Sequence, residues 1–379
     1  MIPLAVRSDG PASGPALVLL NSIGTTSDMW TPVVGPLAEQ FRVVRIDHRG
    51  HGASTPAPPS ADGADCTLAD LAADVIAVLD RLEIDRVDLA GMSLGGMVGM
   101  WLAAHRPERI ARLALICTSS LLPPASGWRD RAATVRSQGT IAIADSVTAR
   151  WVTPALATRD PELVNGLRAM MGSIDAESYA QCCEAIASMD LRDDLARIAA
   201  STLVVAGADD LAIPQDHAEL IAEHVARSRL EVLAPAAHIP TYEQPGKVVS
   251  LLLDHFGGGA SLSRGLATRR AVLGDAHVDR ALAARDVLSA PFQDFLTRYA
   301  WGDVWSRVEL SRRERSIATL GAVITLGADN EIALHVRAAR RNGMSDEEIA
   351  EVVMHVALYA GLPRANHAMT IVRDVLAER

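Results

Sequence analysis

The stretch Leu89-Ala90-Gly91-Met92-Ser93-Leu94-Gly95-Gly96 decides the fold, because it places a serine in a G-x-S-x-G frame between an apolar strand and a helix. Glycines at 91 and 95 fit a sharp turn in which strand and helix backbones pass too closely for side chains. Residues 87–90 predict the strand, and residues 97–104 predict a helix that stops near Pro107. The stretch therefore predicts a nucleophile elbow, and a mere helix cap at Ser93 is the alternative.

An activated serine needs a base and a group that orients the base, and both types occur further along the chain. The predicted strand 202–206 is followed by two carboxylates, Asp209 and Asp210, and the predicted strand 230–233 is followed by His238. In this arrangement His238 would take the proton of Ser93 and pass it to the leaving oxygen. The alternatives are a turn-forming role for the aspartates and a structural role for the loop histidine.

The chain order serine, acid, histidine resembles that of the α/β-hydrolases. Many of them carry G-x-x-D-x-x-x-P after the strand, and Gly207, Asp210 and Pro214 match that spacing. The resemblance implies Asp210, rather than Asp209, as the acid that fixes the tautomer of His238.

Acyl transfer also requires hydrogen-bond donors for the oxyanion. One is the backbone N–H of the residue after the nucleophile, here Leu94. The second is expected from the loop after the early strand 17–20, where the resemblance implies the N–H of Ile23. That loop begins with Asn21, where many relatives have a histidine, so the chain departs from the commoner pattern.

Composition restricts the classes of protein that fit. The chain has 379 residues with 49% hydrophobic content, which predicts two domains with sizeable cores. A net charge of −10 disfavours nucleic acid and anionic membranes as partners, so an anionic small substrate would need a local arginine. The four cysteines lack metal-ligand spacing, and no run approaches the roughly 18 apolar residues of a membrane span. We expect a cytoplasmic protein without a metal site.

The chain changes character after residue 256. Residues 1–256 predict alternating strands and helices, as in a parallel sheet covered on both faces. Within them, the helical insertion at about 120–190 predicts a lid or a stabilising cap. Residues 257–263 form a glycine- and serine-rich linker. Residues 264–379 predict an all-α domain, because capping boxes at Ser311 and Ser345 open helices and no strand pattern remains.

The second domain resembles the 4-carboxymuconolactone decarboxylase family over most of residues 270–379. The resemblance is carried by Leu310-Ser311-Arg312-Arg313-Glu314-Arg315-Ser316, Glu331-Ile332-Ala333-Leu334-His335, Asn342-Gly343-Met344-Ser345 and His355-Val356-Ala357-Leu358-Tyr359-Ala360-Gly361-Leu362-Pro363-Arg364-Ala365. The first domain is similar to 3-oxoadipate enol-lactonases in the loop 21–25, the turn 47–52 and the elbow. Together they resemble a bifunctional fusion.

This resemblance implies two consecutive reactions of the protocatechuate branch of the 3-oxoadipate pathway. Loss of CO2 from 4-carboxymuconolactone pushes electrons into the conjugated lactone carbonyl, so the substrate is its own electron sink and no cofactor is expected. The product enol-lactone would then be opened by Ser93. The alternative is a hydrolase of another small ester or lactone whose second domain only mediates oligomerisation.

Candidate residues of the second domain follow from helical spacing within the matched motifs. Arg312 and Arg315 share a helix face suited to carboxylate recognition, and Glu331 and His335 could form a proton-transfer pair. His355 is a candidate substrate ligand. The alternatives are a solvated helix face for the two arginines and a core position for His355. For Glu331 and His335, the alternatives are a surface contact or an incomplete metal site.

Trp128, Arg131 and Arg150 are candidate substrate-binding residues in the lid. One of the two arginines would pair with the free carboxylate of the lactone. The alternative is that each arginine is a solvated lid residue. The decarboxylase fold also resembles that of peroxide-reducing proteins, whose activity depends on a C-x-x-C pair. The second domain has no such pair, so an antioxidant oxidoreductase is disfavoured. We expect small anionic lactones as substrates and a homo-oligomer formed through the C-terminal domain.

Overall fold

The computed structural model describes residues 2–59, 65–257, 260–286 and 288–378. The chain divides into two compact units, Met1–Gly257 and Gly258–Arg379. Each unit has its own buried apolar residues, including Leu19 and Val98 in the first and Leu320 and Val336 in the second.

The first unit is built on a sheet that has seven strands in the described residues: β1 (Val6–Asp9), β2 (Ala16–Leu20), β3 (Arg42–Ile46), β4 (Val87–Met92), β5 (Ile110–Ile116), β6 (Ser201–Gly207) and β7 (Ser228–Leu233). The strand order is β1-β3-β2-β4-β5-β6-β7. All neighbours pair in parallel except β1, which is antiparallel to β3. Every residue of β4 is buried, as expected for a central strand covered on both faces.

Helices of the first unit follow the strands or form the insertion between β5 and β6. They are α1 (Thr31–Ala38), α2 (Leu68–Arg81), α3 (Leu94–His105), α4 (Ala125–Gln138), α5 (Ile141–Thr148), α6 (Pro154–Arg159), α7 (Pro161–Gly172), α8 (Ala176–Ser188), α9 (Gln215–His224), α10 (Pro240–Glu243) and α11 (Pro245–Phe256). The segment predicted as a lid thus contains α4 to α8. The α/β-hydrolase fold class predicted from the sequence is confirmed.

The second unit is helical throughout its described residues. Its elements are α12 (Ala260–Leu273), α13 (Asp275–Ala283), α14 (Ser289–Leu296), a π-helical segment (Thr297–Val304), α15 (Arg312–Leu326), α16 (Asp329–Arg341), α17 (Asp346–Ala360) and α18 (Leu362–Leu376). Both predicted capping boxes are present, with Ser311 paired to Glu314 and Ser345 to Glu348. Gly327 ends α15 in the left-handed conformation.

Two details differ from the sequence-based expectations. Residues 260–263, predicted as part of the linker, are the first turn of α12, because only residues 257–259 of that stretch are glycine. Gly258 and Gly259 lie outside the described residues. The edge strand β1 was not predicted, since its sequence, Val6-Arg7-Ser8-Asp9, has one apolar residue and no alternating pattern. In the part of the chain that the structure describes, no helix has the length and apolar character that a bilayer crossing requires.

Candidate active sites

Ser93 occupies a strained turn between β4 and α3. Its backbone has φ 52° and ψ −115°, a region that non-glycine residues avoid. A Cβ at Gly91 would collide with the carbonyl of Gly95, and a Cβ at Gly95 would collide with the carbonyl of Leu20. The two glycines are therefore what allow β4, α3 and β2 to approach closely enough to form the sharp turn that holds Ser93.

His238 and Asp210 meet at the carboxyl edge of the sheet. The loop after β6 presents Asp210, the loop after β7 presents His238, and the Nδ1 of His238 lies 2.8 Å from the Oδ2 of Asp210. Both residues are buried. A carboxylate oxygen can only accept, so Nδ1 donates, and the neutral ring with this tautomer has the free Nε2 that a general base requires.

Asp210 is held as a carboxylate. Burial alone would raise its pKa, but the charge and hydrogen bond of His238 outweigh this effect and hold the pKa below its ordinary value. The other carboxylate oxygen, Oδ1, accepts the backbone N–H groups of Ala212 at 2.8 Å and Ile213 at 2.9 Å. These bonds fix the carboxylate in one orientation as well as one protonation state. Asp209, in contrast, is exposed and accepts the N–H of Ala236.

Cys117 is a neighbour of this pair that the sequence analysis did not single out. It follows β5 with φ 46°, and its sulfur, an oxygen of Asp210 and a ring nitrogen of His238 all lie within 4.8 Å of one another. Burial raises the pKa of the Cys117 thiol well above its ordinary value, so the group is a neutral thiol rather than a thiolate ligand. Because Asp210 and His238 already bond to each other, the arrangement fits hydrogen bonding better than metal binding.

The two proposed oxyanion donors are free backbone amides. The N–H groups of Ile23 and Leu94 donate to no acceptor within the described chain. In contrast, the neighbouring Gly95 donates to the carbonyl of Asn21 at 3.0 Å, and Gly24 donates to the Nε2 of His51 at 3.0 Å. Hydrogen bonds thus fix the surrounding loop, whereas these two N–H groups remain available to bind an oxyanion.

Side chains of the turn 47–52 hold the oxyanion loop in place. Asp47 accepts the side-chain amide of Asn21 at 3.0 Å, and His48 bonds to the carbonyl of Asn21 at 3.0 Å. The Nδ1 of His51 donates to the carbonyl of Arg49 at 2.8 Å, while its Nε2 accepts the N–H of Gly24. Burial, aided by the charge of His48, lowers the pKa of His51 to about 3, so this ring is neutral. The supporting role of these residues was not predicted.

A cavity of about 50 Å³ joins the sheet edge to the inserted helices. Ser93, His238 and Ile23 line it from the sheet side, and Trp128, Arg131 and Arg150 line it from α4 and the end of α5. The guanidinium of Arg131 lies 4.4 Å from the centre of the Trp128 ring. Among the described residues, neither arginine makes an ion pair, so the cavity carries positive charge that its own walls do not neutralise.

In the second unit, Glu331 and His335 face each other along α16. The Nε2 of His335 lies 3.7 Å from the Oε2 of Glu331, and the two side chains are 12% and 54% exposed. Burial lowers the pKa of His335, the charge of Glu331 opposes this effect, and the charge of His277 adds to it. The pair therefore has one buried end and one end open to solvent.

Arg312 and Arg315, the predicted carboxylate-binding residues, lie in the first turn of α15. Arg312 is exposed at the start of α15, and Arg315 donates to the carbonyl of Arg307 at 3.1 Å. Neither makes a hydrogen bond or ion pair with Glu331 or His335 in the described part of the chain.

His355 is exposed on α17 and packs against Tyr359, with ring centres 5.2 Å apart, so it is not a core histidine. It lines a surface cavity of about 490 Å³ whose wall includes the ion pair of Arg313 and Glu348. This cavity is open to solvent and its surface is largely apolar.

Comparison with known proteins gives the same division of the chain. Residues 15–138 match a family model described as the alpha/beta hydrolase fold, and residues 290–374 match the Carboxymuconolactone decarboxylase family. The first unit is similar to 3-oxoadipate enol-lactonase 2 of Acinetobacter baylyi, with 40% identity over 245 residues, covering 64% of this chain and 89% of the relative.

A solved enol-lactonase from Burkholderia xenovorans is 36% identical, has a TM-score of 0.64, and is matched over 67% of this chain and 96% of its own. The second unit is similar to 4-carboxymuconolactone decarboxylase of Acinetobacter baylyi, with 41% identity over 115 residues, covering 30% of this chain and 86% of the relative. The chain therefore belongs to the 3-oxoadipate enol-lactonase family through its first unit and to the 4-carboxymuconolactone decarboxylase family through its second, as a fusion of the two.

Proposed function

We propose that the second unit decarboxylates 4-carboxymuconolactone and that the first unit hydrolyses the product, 3-oxoadipate enol-lactone, to 3-oxoadipate. These are consecutive steps of the protocatechuate branch of the 3-oxoadipate pathway. The observation that carries the hydrolytic half is the 2.8 Å bond between His238 and Asp210, beside a cavity that Ser93 and two unpaired arginines also line. The relatives of both units bear the names of these two activities.

In the hydrolytic step, the Oγ of Ser93 attacks the lactone carbonyl while His238 takes its proton. Asp210 stabilises the imidazolium, and the N–H groups of Ile23 and Leu94 bind the developing oxyanion. Collapse of the tetrahedral intermediate breaks the ring C–O bond, and His238 returns the proton to the leaving oxygen, which becomes an enol. The enol tautomerises to the ketone, and water activated by His238 releases 3-oxoadipate from the serine.

Arg131 and Arg150 are proposed to bind the carboxylate that the enol-lactone keeps. Burial lowers the pKa of Arg150, and the like charge of Arg131 lowers it further, so an anion between the two guanidiniums relieves their repulsion. Trp128 holds one side of Arg131 and limits the directions in which it can point. The cavity thus selects small lactones or esters that carry a negative charge.

The role of these arginines predicts a change in substrate binding. Replacing Arg150 with Met should raise the KM for enol-lactone by about 10- to 100-fold, because a charge-assisted hydrogen bond to the carboxylate is lost. The KM for a neutral ester of similar size should stay unchanged. Arg129→Met is the matched control, since Arg129 is exposed on the same insertion. Equal losses on both substrates would contradict the proposal.

In the second unit, decarboxylation needs a bound dianion and a proton for carbon. The C–C bond to the departing carboxylate breaks, its electron pair moves through the ring double bond to the lactone oxygen, and CO2 leaves. A proton then adds to the ring carbon next to the lactone carbonyl, so the double bond moves to the carbon that lost CO2 and the enol-lactone forms. The Glu331–His335 pair is proposed to deliver this proton. Because the lactone itself accepts the electron pair, the proposed reaction requires no cofactor.

Two assays on the full chain test the proposal. Wild-type protein supplied with 4-carboxymuconolactone should release CO2 and form 3-oxoadipate. Ser93→Ala should still release CO2 at the wild-type rate, whereas enol-lactone should accumulate, because hydrolysis loses its nucleophile and falls by at least about a thousandfold. Hydrolysis by Ser93→Ala at the normal rate would exclude Ser93 as nucleophile. A wild-type chain that hydrolyses enol-lactone but releases no CO2 would support the alternative, a hydrolase with a non-catalytic second unit.

The second unit is also proposed to assemble with copies of itself. Leu358, Tyr359 and Leu362 are 80%, 78% and 74% exposed where α17 ends and α18 begins. Such an exposed apolar face is unusual for a monomer, and it suits an apolar partner. A second copy of this chain, which presents the same apolar face, is the proposed occupant.

A further inference from the structure

Arg269 is a buried cation without a charged partner. It lies on α12 and is only 4% exposed. One terminal nitrogen, Nη1, donates to two neutral acceptors, the Oε1 of Gln293 at 3.0 Å and the Oγ1 of Thr297 at 3.4 Å. Its buried Nε finds no acceptor, and the guanidinium makes no ion pair in the described chain. A buried charge without a counter-ion is energetically costly. The environment of Arg269 therefore lacks a negatively charged hydrogen-bond acceptor.

The helix that carries Arg269, α12, packs against α16, the helix that carries the Glu331–His335 pair. One apolar cluster joins α12, α13 and α16 through Val272, Val278 and Ala338, with Leu334 packed against it. Val278 is next to His277 in sequence, and Leu334 is next to His335. The same cluster contains Trp301, whose buried indole N–H also lacks an acceptor.

Electrostatic coupling agrees with this packing. Burial lowers the pKa of His277, the charges of Arg269 and Arg280 lower it further, and the charge of Glu331 opposes them. His277 in turn lowers the pKa of His335. His277 is thus within the electrostatic range of both Arg269 and the pair on α16.

We propose that Arg269, beside His277 and the Glu331–His335 pair, binds a carboxylate of the dianionic lactone in the second unit. This inference rests on the proposed decarboxylation and replaces Arg312 and Arg315, the candidates from the sequence, as the carboxylate-binding residues. The ligand class is a small cyclic dicarboxylate whose anion supplies the acceptor that the Nε of Arg269 lacks.

The chemistry decides which of the two carboxylates Arg269 binds. The departing carboxylate loses its charge as it becomes CO2, so a guanidinium paired with it would stabilise the substrate more than the transition state. The other carboxylate stays charged throughout the reaction. Arg269 therefore binds the retained carboxylate, and its contribution is the same in the ground state and the transition state. Its loss should appear in KM more than in kcat.

The test compares Arg269→Met with Arg270→Met in the full chain. Arg270 is the next residue of the same helix, but it is partly exposed and paired with Asp275 and Asp279. Arg269→Met should raise the KM for 4-carboxymuconolactone by about 100-fold with a smaller change in kcat. Arg270→Met should leave both constants unchanged, and hydrolysis of enol-lactone should be unaffected in both variants.

Thermal unfolding separates binding from a structural role. If Arg269 serves the substrate, its replacement by Met removes an unpaired buried charge, so the melting temperature should stay the same or rise. A lowered melting temperature together with an unchanged KM would overturn the inference. Arg269→Lys provides a second variant that keeps the charge, and its KM should lie between those of the wild type and Arg269→Met.

The outcomes for the inference and for the proposed function differ. If the wild-type chain releases no CO2, the decarboxylation itself is refuted. If the wild type is active and Arg269→Met keeps the wild-type KM, or if Arg312→Met raises the KM instead, only the assignment of Arg269 is refuted.

Discussion

At the scale of single residues, Asp210 shows how one side chain can set both the charge and the direction of another. Its Oδ2 bonds to the Nδ1 of His238, while its Oδ1 is fixed by the N–H groups of Ala212 and Ile213. The neighbouring Asp209 has none of these contacts with His238. The choice between two adjacent carboxylates is therefore decided by the direction in which the loop presents them.

Replacing Asp210 with Asn should lower kcat for enol-lactone hydrolysis by about 10⁴-fold, because the amide no longer holds His238 in the tautomer with a free Nε2. Steady-state hydrolysis of enol-lactone measures the effect. Asp209→Asn is the control and should retain nearly full activity, since Asp209 is exposed and its side chain accepts a hydrogen bond from the backbone of Ala236. A larger loss in Asp209→Asn than in Asp210→Asn would reverse the assignment.

His51 gives a prediction of pH dependence. Its folded pKa is about 3, below the ordinary value of 6.5, so the unfolded chain binds more protons between these two values. The stability that His51 contributes is therefore fully present above about pH 6.5 and decreases as the pH falls toward 3.

Urea denaturation of the first unit at several pH values between about 7.5 and 4.5 tests this sign. Replacing His51 with Gln, whose amide oxygen can accept the N–H of Gly24, should reduce the slope of unfolding free energy against pH by up to about 1.4 kcal/mol per pH unit. His48 and His255, whose pKa values are also lowered by burial, remain in both proteins and keep part of the slope. Identical slopes would show that His51 is not neutral in the fold.

At the scale of elements, the crossing of α3 over β2 depends on the absence of a side chain at one position. Gly95 lies in the first turn of α3, directly against the carbonyl of Leu20 at the end of β2. This contact keeps the start of α3, and with it the N–H of Leu94, close to the loop that carries Ile23. The geometry of the oxyanion site is thus a property of two packed elements.

Gly95→Ala should destabilise the first unit by roughly 2–4 kcal/mol and lower hydrolysis, because the added methyl group collides with backbone that cannot move without shifting the sheet. Gly166→Ala is the matched control. Gly166 is exposed in α7 with open space around its Cβ position, so alanine there should stabilise the helix by about 0.5–1 kcal/mol. Chemical denaturation of both variants measures the difference, and equal effects would contradict the packing argument.

At the scale of the whole molecule, the chain contains two units with separate cores and separate candidate sites. The candidate hydrolytic site uses loops at the edge of a parallel sheet, whereas the proposed decarboxylase site is built from helices α12, α13 and α16. The two reactions follow one another chemically, since the proposed product of the second unit is the proposed substrate of the first. A change that inactivates one site should accordingly leave the other reaction intact.

The exposed apolar face of the second unit leads to a prediction about assembly. Leu358→Glu should lower the molar mass of the protein measured by light scattering after gel filtration, because a charge at the centre of an apolar contact is costly to bury. Asp374→Asn, an exposed change on α18, is the control and should leave the mass unchanged. An unchanged mass for Leu358→Glu would exclude this face as the interface between copies.

The sequence by itself determined the fold classes and indicated the order of the candidate hydrolytic residues, because these depend on local patterns. The frame around Ser93, the strands before Asp210 and His238, and the capping boxes at Ser311 and Ser345 all act within a few residues of the chain. Each pattern can be recognised without knowing which residues pack against it in the fold.

Only the tertiary structure decided which groups lie near these residues. Cys117 meets Asp210 from another strand, His51 reaches Gly24 across a loop, and Arg269 is buried without a counter-ion although its neighbour Arg270 is paired at the surface. Such contacts join residues that are distant along the chain. Burial, and with it the energetic cost of a charge, is a property of the packed interior and not of any one segment.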